Sequence, residues 1–448
     1  MINNLRRGHS FFIRIVSGLF VFLLVLTACC DAQSTKKKVL ADRILKDTSL
    51  THVDKMARIL IKEGFHAGSG YSQIWARDLN TFIETALEER PAAEVRGAIL
   101  LFFKLQQDNG EMVDGYVLKK DFTWHDDTPY YSDAAPNHVG FKNTVETDQE
   151  TSLIQLLGKY IQISGDTSIL TESIAGQTVM TRIERMLDYL HRERHHADYE
   201  LLWGAMTADW GDVQPHDDFG CDWNTLSHQA IDVYDNAMLV IALEHLIAFA
   251  PRHPGKDAWQ RWKQKTAAHI RQHLWDANRL KFIPHIYPNG SPLPKKFDEN
   301  TIHYHGGTAV AIEAGILTPQ EITHVYQQMV ENVQKSGMPS IGLTLYPTYP
   351  GGFFHGTMAE PYIYQNGGDW TWFGGRMIQQ LIVNGFVEDA YTAVRPMLDR
   401  VIKNQGFYEW YDKNNKPSGS GNFKGSAGVL AKSITLFTNW AKEVQDTQ

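Results

Sequence analysis

Residues 92–110, AAEVRGAILLFFKLQQDNG, decide how the chain folds. Val95, Ala98, Ile99, Phe102 and Phe103 recur at intervals of three and four, which places them on one face of an α-helix, and Asn109-Gly110 supplies the stop. The same period returns on both sides. Thr147-Asp148-Gln149-Glu150 has capping-box spacing and leads into Leu153, Ile154, Leu157, Tyr160 and Ile161. Ile183, Met186, Leu187 and Leu190 make another face, and Trp259, Trp262, Thr266, Ile270 and Leu274 a further one. Helices are expected over 51–63, 78–89, 92–107, 147–164, 177–192, 229–249, 255–274, 306–314, 319–335, 371–384, 387–403 and 424–443, with few strands. Short links such as Glu89-Arg90-Pro91 and Gly385-Phe386 alternate with long ones at 110–146, 193–228 and 336–370. Antiparallel helices so connected can close as hairpins around a common axis, with the long loops gathered at one end as the place for a site.

The totals narrow the class. A chain of 448 residues with a net charge of −8 and no long Lys/Arg block lacks the concentrated positive field of a nucleic-acid groove. The 12 Trp and 18 Tyr either fill the core or offer flat faces on which sugar rings stack. Arg6, Arg7 and Arg14 precede an apolar run from Ile15 to Leu26 that is short for a membrane span and reads as a targeting segment. Leu26-Thr27-Ala28-Cys29 resembles the lipobox of bacterial lipoproteins, which implies a signal peptide over 1–28, a lipid on Cys29 and attachment to a membrane. A plain secretory signal is the alternative. Residues 29–40 are expected to be a flexible tether and 41–448 one catalytic domain. With Cys221 the one cysteine beyond Cys29 and Cys30, no disulfide framework is expected. No metal or cofactor is expected either, because His191, His195 and His196, and His303 with His305, lack carboxylate partners at metal-site spacing.

Four clusters mix carboxylates with aromatic rings, the combination that suits a molecule with polar edges and apolar faces. In Tyr71-Ser72-Gln73-Ile74-Trp75-Ala76-Arg77-Asp78, Asp78 either caps a helix or joins a site. Thr207-Ala208-Asp209-Trp210-Gly211-Asp212 is either a polar turn or a pair of carboxyl groups whose crowding keeps one protonated. The stretch Glu360 to Trp372 and the stretch Phe407-Tyr408-Glu409-Trp410-Tyr411-Asp412 surround acids with large rings, and there Glu409 and Asp412 either act in chemistry or pair with the last helix.

In order as well as kind, these motifs resemble the helical-toroid glycosidases that include neutral invertases, trehalases, mannosylglycerate-type hydrolases and the glucosidase half of debranching enzymes. Ile74 to Asp78 followed by Leu105-Gln106-Gln107-Asp108-Asn109-Gly110 is similar to their early Trp-x-Arg-Asp helix and turn, and Thr147-Asp148 through Ser164-Gly165-Asp166 to their next sugar-facing helix. Tyr364-Gln365-Asn366-Gly367-Gly368-Asp369-Trp370 resembles the Tyr-His-Asn-Gly-Gly-x-Trp-Pro signature, with Gln365 for His and Thr371 for Pro. The resemblance implies an all-α (α/α)6 toroid and inverting hydrolysis of an α-glucoside-like oligosaccharide. It implies Asp212 as general acid and Glu409 as general base, with Trp75, Arg77, Asp78, Asp148, Trp210, Glu360, Asn366 and Trp370 around the sugar. Asp209 to Asp212 is also similar to the Asp-Trp-Asn-Asp of disaccharide phosphorylases, so phosphorolysis is one rival and a non-catalytic carbohydrate-binding lipoprotein another. An exported location disfavours the phosphorylase.

Replacing Cys29 with Ser is expected to release the protein from the membrane fraction or leave its precursor uncut. Radiolabelled palmitate incorporation checks this, and unchanged labelling of the variant would sink the anchor.

Overall fold

The computed structural model describes residues 34–122, 128–216 and 221–446. The leader assigned to 1–28, and Cys29 with it, lies outside the described residues. The helices are α1 over 34–45, α2 Thr48–Lys62, α3 Ala76–Glu89, α4 Ala92–Lys104, α5 Gln149–Ser164, α6 Val179–Glu193 and α7 Val233–Phe249. They continue with α8 Lys256–His269, α9 His305–Glu313, α10 Pro319–Ser336, α11 Thr371–Val383, α12 Val387–Ala393, α13 Arg395–Asn404 and α14 Lys424–Asp446. Apart from the one expected over 387–403, every expected helix is present, with its ends within about one and a half turns of those expected.

Three expectations need correction. Residues 34–40, read as tether, belong to α1, whose lysines face solvent while Ala41 and Ile44 enter the core. The helix expected over 387–403 is two, α12 and α13, because Pro396 has no N–H to give the Thr392 carbonyl and its ring crowds that turn. The capping box at Thr147 does not form. Thr147 Oγ1 donates to the Trp203 carbonyl, and Glu150 accepts from Lys142 and from the Met112 amide instead. A capping box is found at Thr318-Glu321, starting α10.

Six helices form a closed inner ring: α3 packs on α5, α5 on α7, α7 on α9, α9 on α11, α11 on α14, and α14 back on α3. The others lie outside it, α4 against α3 and α5, α6 against α5, α8 against α7, α10 against α9, and α12 against α11. This is the (α/α)6 toroid. Inner helices touch neighbours on every side, so α7 is buried continuously from Val233 to Leu243, whereas α6 buries a stripe through Ile183, Met186 and Leu190. Inner helices hand over to outer ones through short links such as 90–91 and 384–386. Outer helices return through long ones, 105–148, 194–232, 270–304, 337–370 and 405–423. The N-termini of all inner helices and the long connections therefore share one end. There, β1 Ile74–Trp75, β2 Gly115–Leu118 and β3 His138–Phe141 make a small antiparallel sheet, and Tyr408–Tyr411 pairs with Pro417–Gly421 as a hairpin.

The ring closes where Gly428 of α14 meets Phe82 of α3, with a Cβ on Gly428 falling 2.4 Å from Phe82 Cβ and 2.8 Å from its Cα. Gly428→Val is expected to cost about 1–3 kcal/mol or more through overpacking, read as a lower midpoint in chemical denaturation. Gly97→Ala on α4, where nothing lies within 4 Å of a new Cβ, should be neutral or stabilising.

Candidate active site

The connections and inner-helix N-termini enclose a cavity of about 640 Å³. Its base is fixed by Arg77, in the first turn of α3. The guanidinium places Nε 2.7 Å from Asp148 Oδ2, donates through Nη2 to Glu146, and donates through Nη1 to the Trp210 carbonyl at 3.4 Å. The Tyr234 hydroxyl of α7 donates to the same Asp148 oxygen at 2.7 Å. One side chain thus joins α3, α5 and the Trp210 loop, and reaches α7 through Asp148.

In the 194–232 connection the two candidate acids part company. Both oxygens of Asp209 accept amide bonds at the N-terminus of α9, from Gly306 at 2.7 Å and Gly307 at 2.8 Å. Glycine is required there, since a Cβ at either position would stand within 3 Å of an Asp209 oxygen. Asp209 is spent on the positive end of a helix. Asp212 faces the cavity half-buried, with Oδ1 accepting from Gln365 Nε2 at 2.6 Å and its own amide donating to Gln365 Oε1 at 3.3 Å.

Glu409 enters the cavity from the Tyr408–Tyr411 strand and is 5% exposed. Its Oε1 accepts from the Tyr71 hydroxyl at 3.0 Å and its Oε2 from the Ser420 amide of the paired strand at 2.7 Å. Burial pushes its carboxyl up to about 7, and the two donors oppose that. Burial likewise raises Asp78 to about 7 against the pull of Arg77, and Asp114 to about 8.

Of the residues expected around a sugar, Trp75, Arg77, Asp78, Trp210 and Trp370 line the cavity together with Asp212 and Glu409. Trp75 is half-buried, edge-on to Phe141 at 4.7 Å. Trp210 is stacked on Phe373 at 4.1 Å and holds Trp370 edge-on at 4.7 Å, so its face is already covered by protein. Asp148, Asn366 and Glu360 are not in the lining. Asp148 is fully buried on Arg77 and Tyr234. Asn366 is fully buried and clasps the Tyr349 backbone, accepting from its amide at 2.9 Å and donating to its carbonyl at 3.2 Å. Glu360 is exposed outside the cavity. Tyr71, Asp114, Lys142, Glu146 and Gln365 line the cavity although the sequence did not mark them as site residues. Asp114 had one signal, a lone carboxylate in the apolar run Met112-Val113-Asp114-Gly115-Tyr116-Val117. Among the described residues no group of His, Cys, Asp and Glu is placed to hold a metal ion.

The sequence matches no family model and no curated protein. Its fold does recur in solved structures. A GH63 mannosylglycerate hydrolase from Thermus thermophilus, in complex with glucose, superposes with a TM-score of 0.59 at 14% identity, over 86% of this chain and 100% of that one. A rhamnosidase from Klebsiella oxytoca with rhamnose bound gives 0.54 at 15% identity over 86% of this chain, and a GH78 family rhamnosidase from a Bacillus species gives 0.56 at 14% over 86%. The chain spans 63% and 34% of those two rhamnosidases. The shared element is the helical toroid of these glycosidases.

Arg77→Gln would strand Glu146 and Asp148 in a buried setting, and a loss of about 3–5 kcal/mol is expected. Burial already raises the Glu146 carboxyl and Arg77 opposes this, so removing Arg77 raises it further. The deficit should be largest above the raised pKa, where the group is ionised, and shrink as pH falls and it protonates. Denaturant titrations at several pH values check this; a deficit that grows on acidification contradicts it.

Proposed function

We propose that this chain is a glycoside hydrolase that cleaves O-glycosidic bonds with inversion, on an α-glucoside-like oligosaccharide outside the cytoplasm, while anchored to a membrane through a lipid on Cys29. The observation that carries the hydrolase reading is the facing pair: Asp212 and Glu409 reach one cavity from connections 197 residues apart in sequence (409 − 212), each held by a neighbour that also lines or borders the cavity. Glu409 has a donor on each oxygen, the setting of an ionised carboxylate, and a pKa near working pH, which suits a base. Asp212 gives its proton to the leaving oxygen as the C–O bond breaks. Glu409 takes a proton from water as the water oxygen bonds to the anomeric carbon from the opposite face. Inversion calls for a separation of roughly 6.5–9.5 Å between the carboxyl groups, room for that water. Asp78 and Arg77 border the sugar ring, and Trp75 offers it an aromatic edge.

Asp212→Asn should cripple turnover of natural glycosides and partly spare glycosyl fluorides, which need no proton on departure. Glu409→Gln should depress both by about 10²–10⁴-fold. Glu360→Gln, outside the cavity, should leave both near wild type. Because the base must be ionised, kcat/KM on the fluoride should climb as pH rises through about 7 and then level. Initial rates across a glycoside screen measure all of this. If Glu360→Gln abolishes fluoride hydrolysis and Glu409→Gln does not, the base is misassigned.

A further inference from the structure

Among the described residues, six carboxyl side chains, Asp78, Asp114, Glu146, Asp212, Asp222 and Glu409, line the cavity against two cations, Arg77 and Lys142. Both cations are committed within the protein. Arg77 is shared by Glu146 and Asp148, and Lys142 donates to Glu150 Oε1 at 2.7 Å and to the Met112 carbonyl at 3.1 Å. The charged groups left to meet an incoming molecule are therefore carboxyls. Asp78, 7% exposed, has Oδ1 buried without a donor among the described residues, and Glu146, 5% exposed, has Oε1 in the same condition. The raised carboxyls of Asp78 and Asp114 are what acid groups do when burial and crowding outweigh the positive charge near them.

We propose that the glycosyl unit held in this cavity carries hydrogen-bond donors and no anionic group, with Asp78 and Asp114 setting that selectivity. Uncharged and amino sugars enter; uronic acids and sulfated or phosphorylated sugars do not. This rests on the glycosidase reading and names its substrate class. A hydroxyl donates to the carboxyl groups of Asp78 or Glu146 where they line the cavity. An ammonium does the same and adds the missing positive charge, lowering the carboxyl pKa values so that protons leave. A sugar carboxylate brings a further negative group to a cavity whose cations are taken, and enters only if it or a neighbour binds a proton. The same field opposes inorganic phosphate as a nucleophile, which favours water.

The test is calorimetric titration of the full chain at pH 7 with matched sets, each a neutral sugar, its 6-amino-6-deoxy analogue and its uronate, in gluco, galacto and manno configurations. In the configuration that binds, the uronate should be at least about tenfold weaker than the neutral sugar. The amine should bind at least as tightly as the neutral sugar, with net proton release seen as a dependence of the heat on the buffer's ionisation enthalpy. Asp114→Asn and, separately, Asp78→Asn should each narrow the neutral-to-uronate gap several-fold when the titration is repeated at about pH 9, where both carboxyls are ionised, and less at pH 7, a pH dependence that a merely structural role would not give. Where binding is too weak for heat, kcat/KM for aryl glycosides against aryl glycosiduronates reads the same ratio. A uronate that binds or reacts as well as the neutral sugar overturns the selectivity and leaves the hydrolase intact. A chain that binds no member of any set and cleaves no aryl glycoside overturns both.

Discussion

Arg77 is the residue on which the arrangement of the site depends. It begins an inner helix, yet its guanidinium turns away from the adjacent Asp78 and binds Glu146 and Asp148 at the start of the next inner helix, with the Trp210 carbonyl as a third partner. A planar fork with several donors can serve two carboxylates and a carbonyl at once; a single ammonium point charge cannot hold that geometry. Because Asp148 also accepts from Tyr234, three successive inner helices are registered against each other at the end where the cavity lies. Asp78 lines the cavity, with one oxygen unpaired among the described residues.

Ring closure explains why so many acids can be gathered there. With all inner helices pointing the same way, their N-termini converge, and each brings unpaired amides and the positive end of its dipole. Some carboxylates are consumed by this: Asp209 on α9, and Asp232, whose side chain accepts from the Asp235 amide at the start of α7. Others, Asp212 and Glu409 among them, sit on the connections and are held by side chains or by a hairpin amide instead. The capping acids are structural because the helix takes both their charge and their lone pairs. Those beside them remain available to a substrate.

The division between what the sequence made legible and what it did not follows the range of the interactions. Helices such as α4 and α6 announce themselves through apolar residues that meet within one or two turns, and the alternation of short and long links follows from counting between them. The break at Pro396 is equally local, but the apolar period runs on through it and masks it. α1 is hidden because little of it beyond Ala41 and Ile44 is buried, beside a run of lysines. Asp209 and Asp212 could not be told apart from sequence, since what separates them is Gly306-Gly307 nearly a hundred residues later. Asp114, Lys142 and Glu146 reach one cavity from the long connection between α4 and α5, and Glu360 and Glu409 both lie in aromatic runs that only the closed fold distinguishes.

That last pair shows how the ring mounts an acid. Glu409 stands on a strand whose Tyr411 exchanges backbone hydrogen bonds with Asp369, each at 2.9 Å, just before α11. Asp369 is itself pinned, with Oδ1 2.9 Å from Arg400 Nη1 of the outer helix α13 and both oxygens accepting from Ser340, at 2.8 and 2.7 Å. The Arg400 guanidinium also lies over the Tyr411 ring, 3.9 Å from its centroid. Removing both charges from water is costly, and an isolated buried pair adds little stability beyond what well-packed apolar groups give. Its effect is geometric: a fully buried ion pair with its oxygens satisfied admits one placement of the backbone rung that carries Glu409. Glu360 has no such mounting among the described residues: it is exposed on its loop and outside the cavity, whereas Glu409 is held at the end of the toroid where Arg77 also stands.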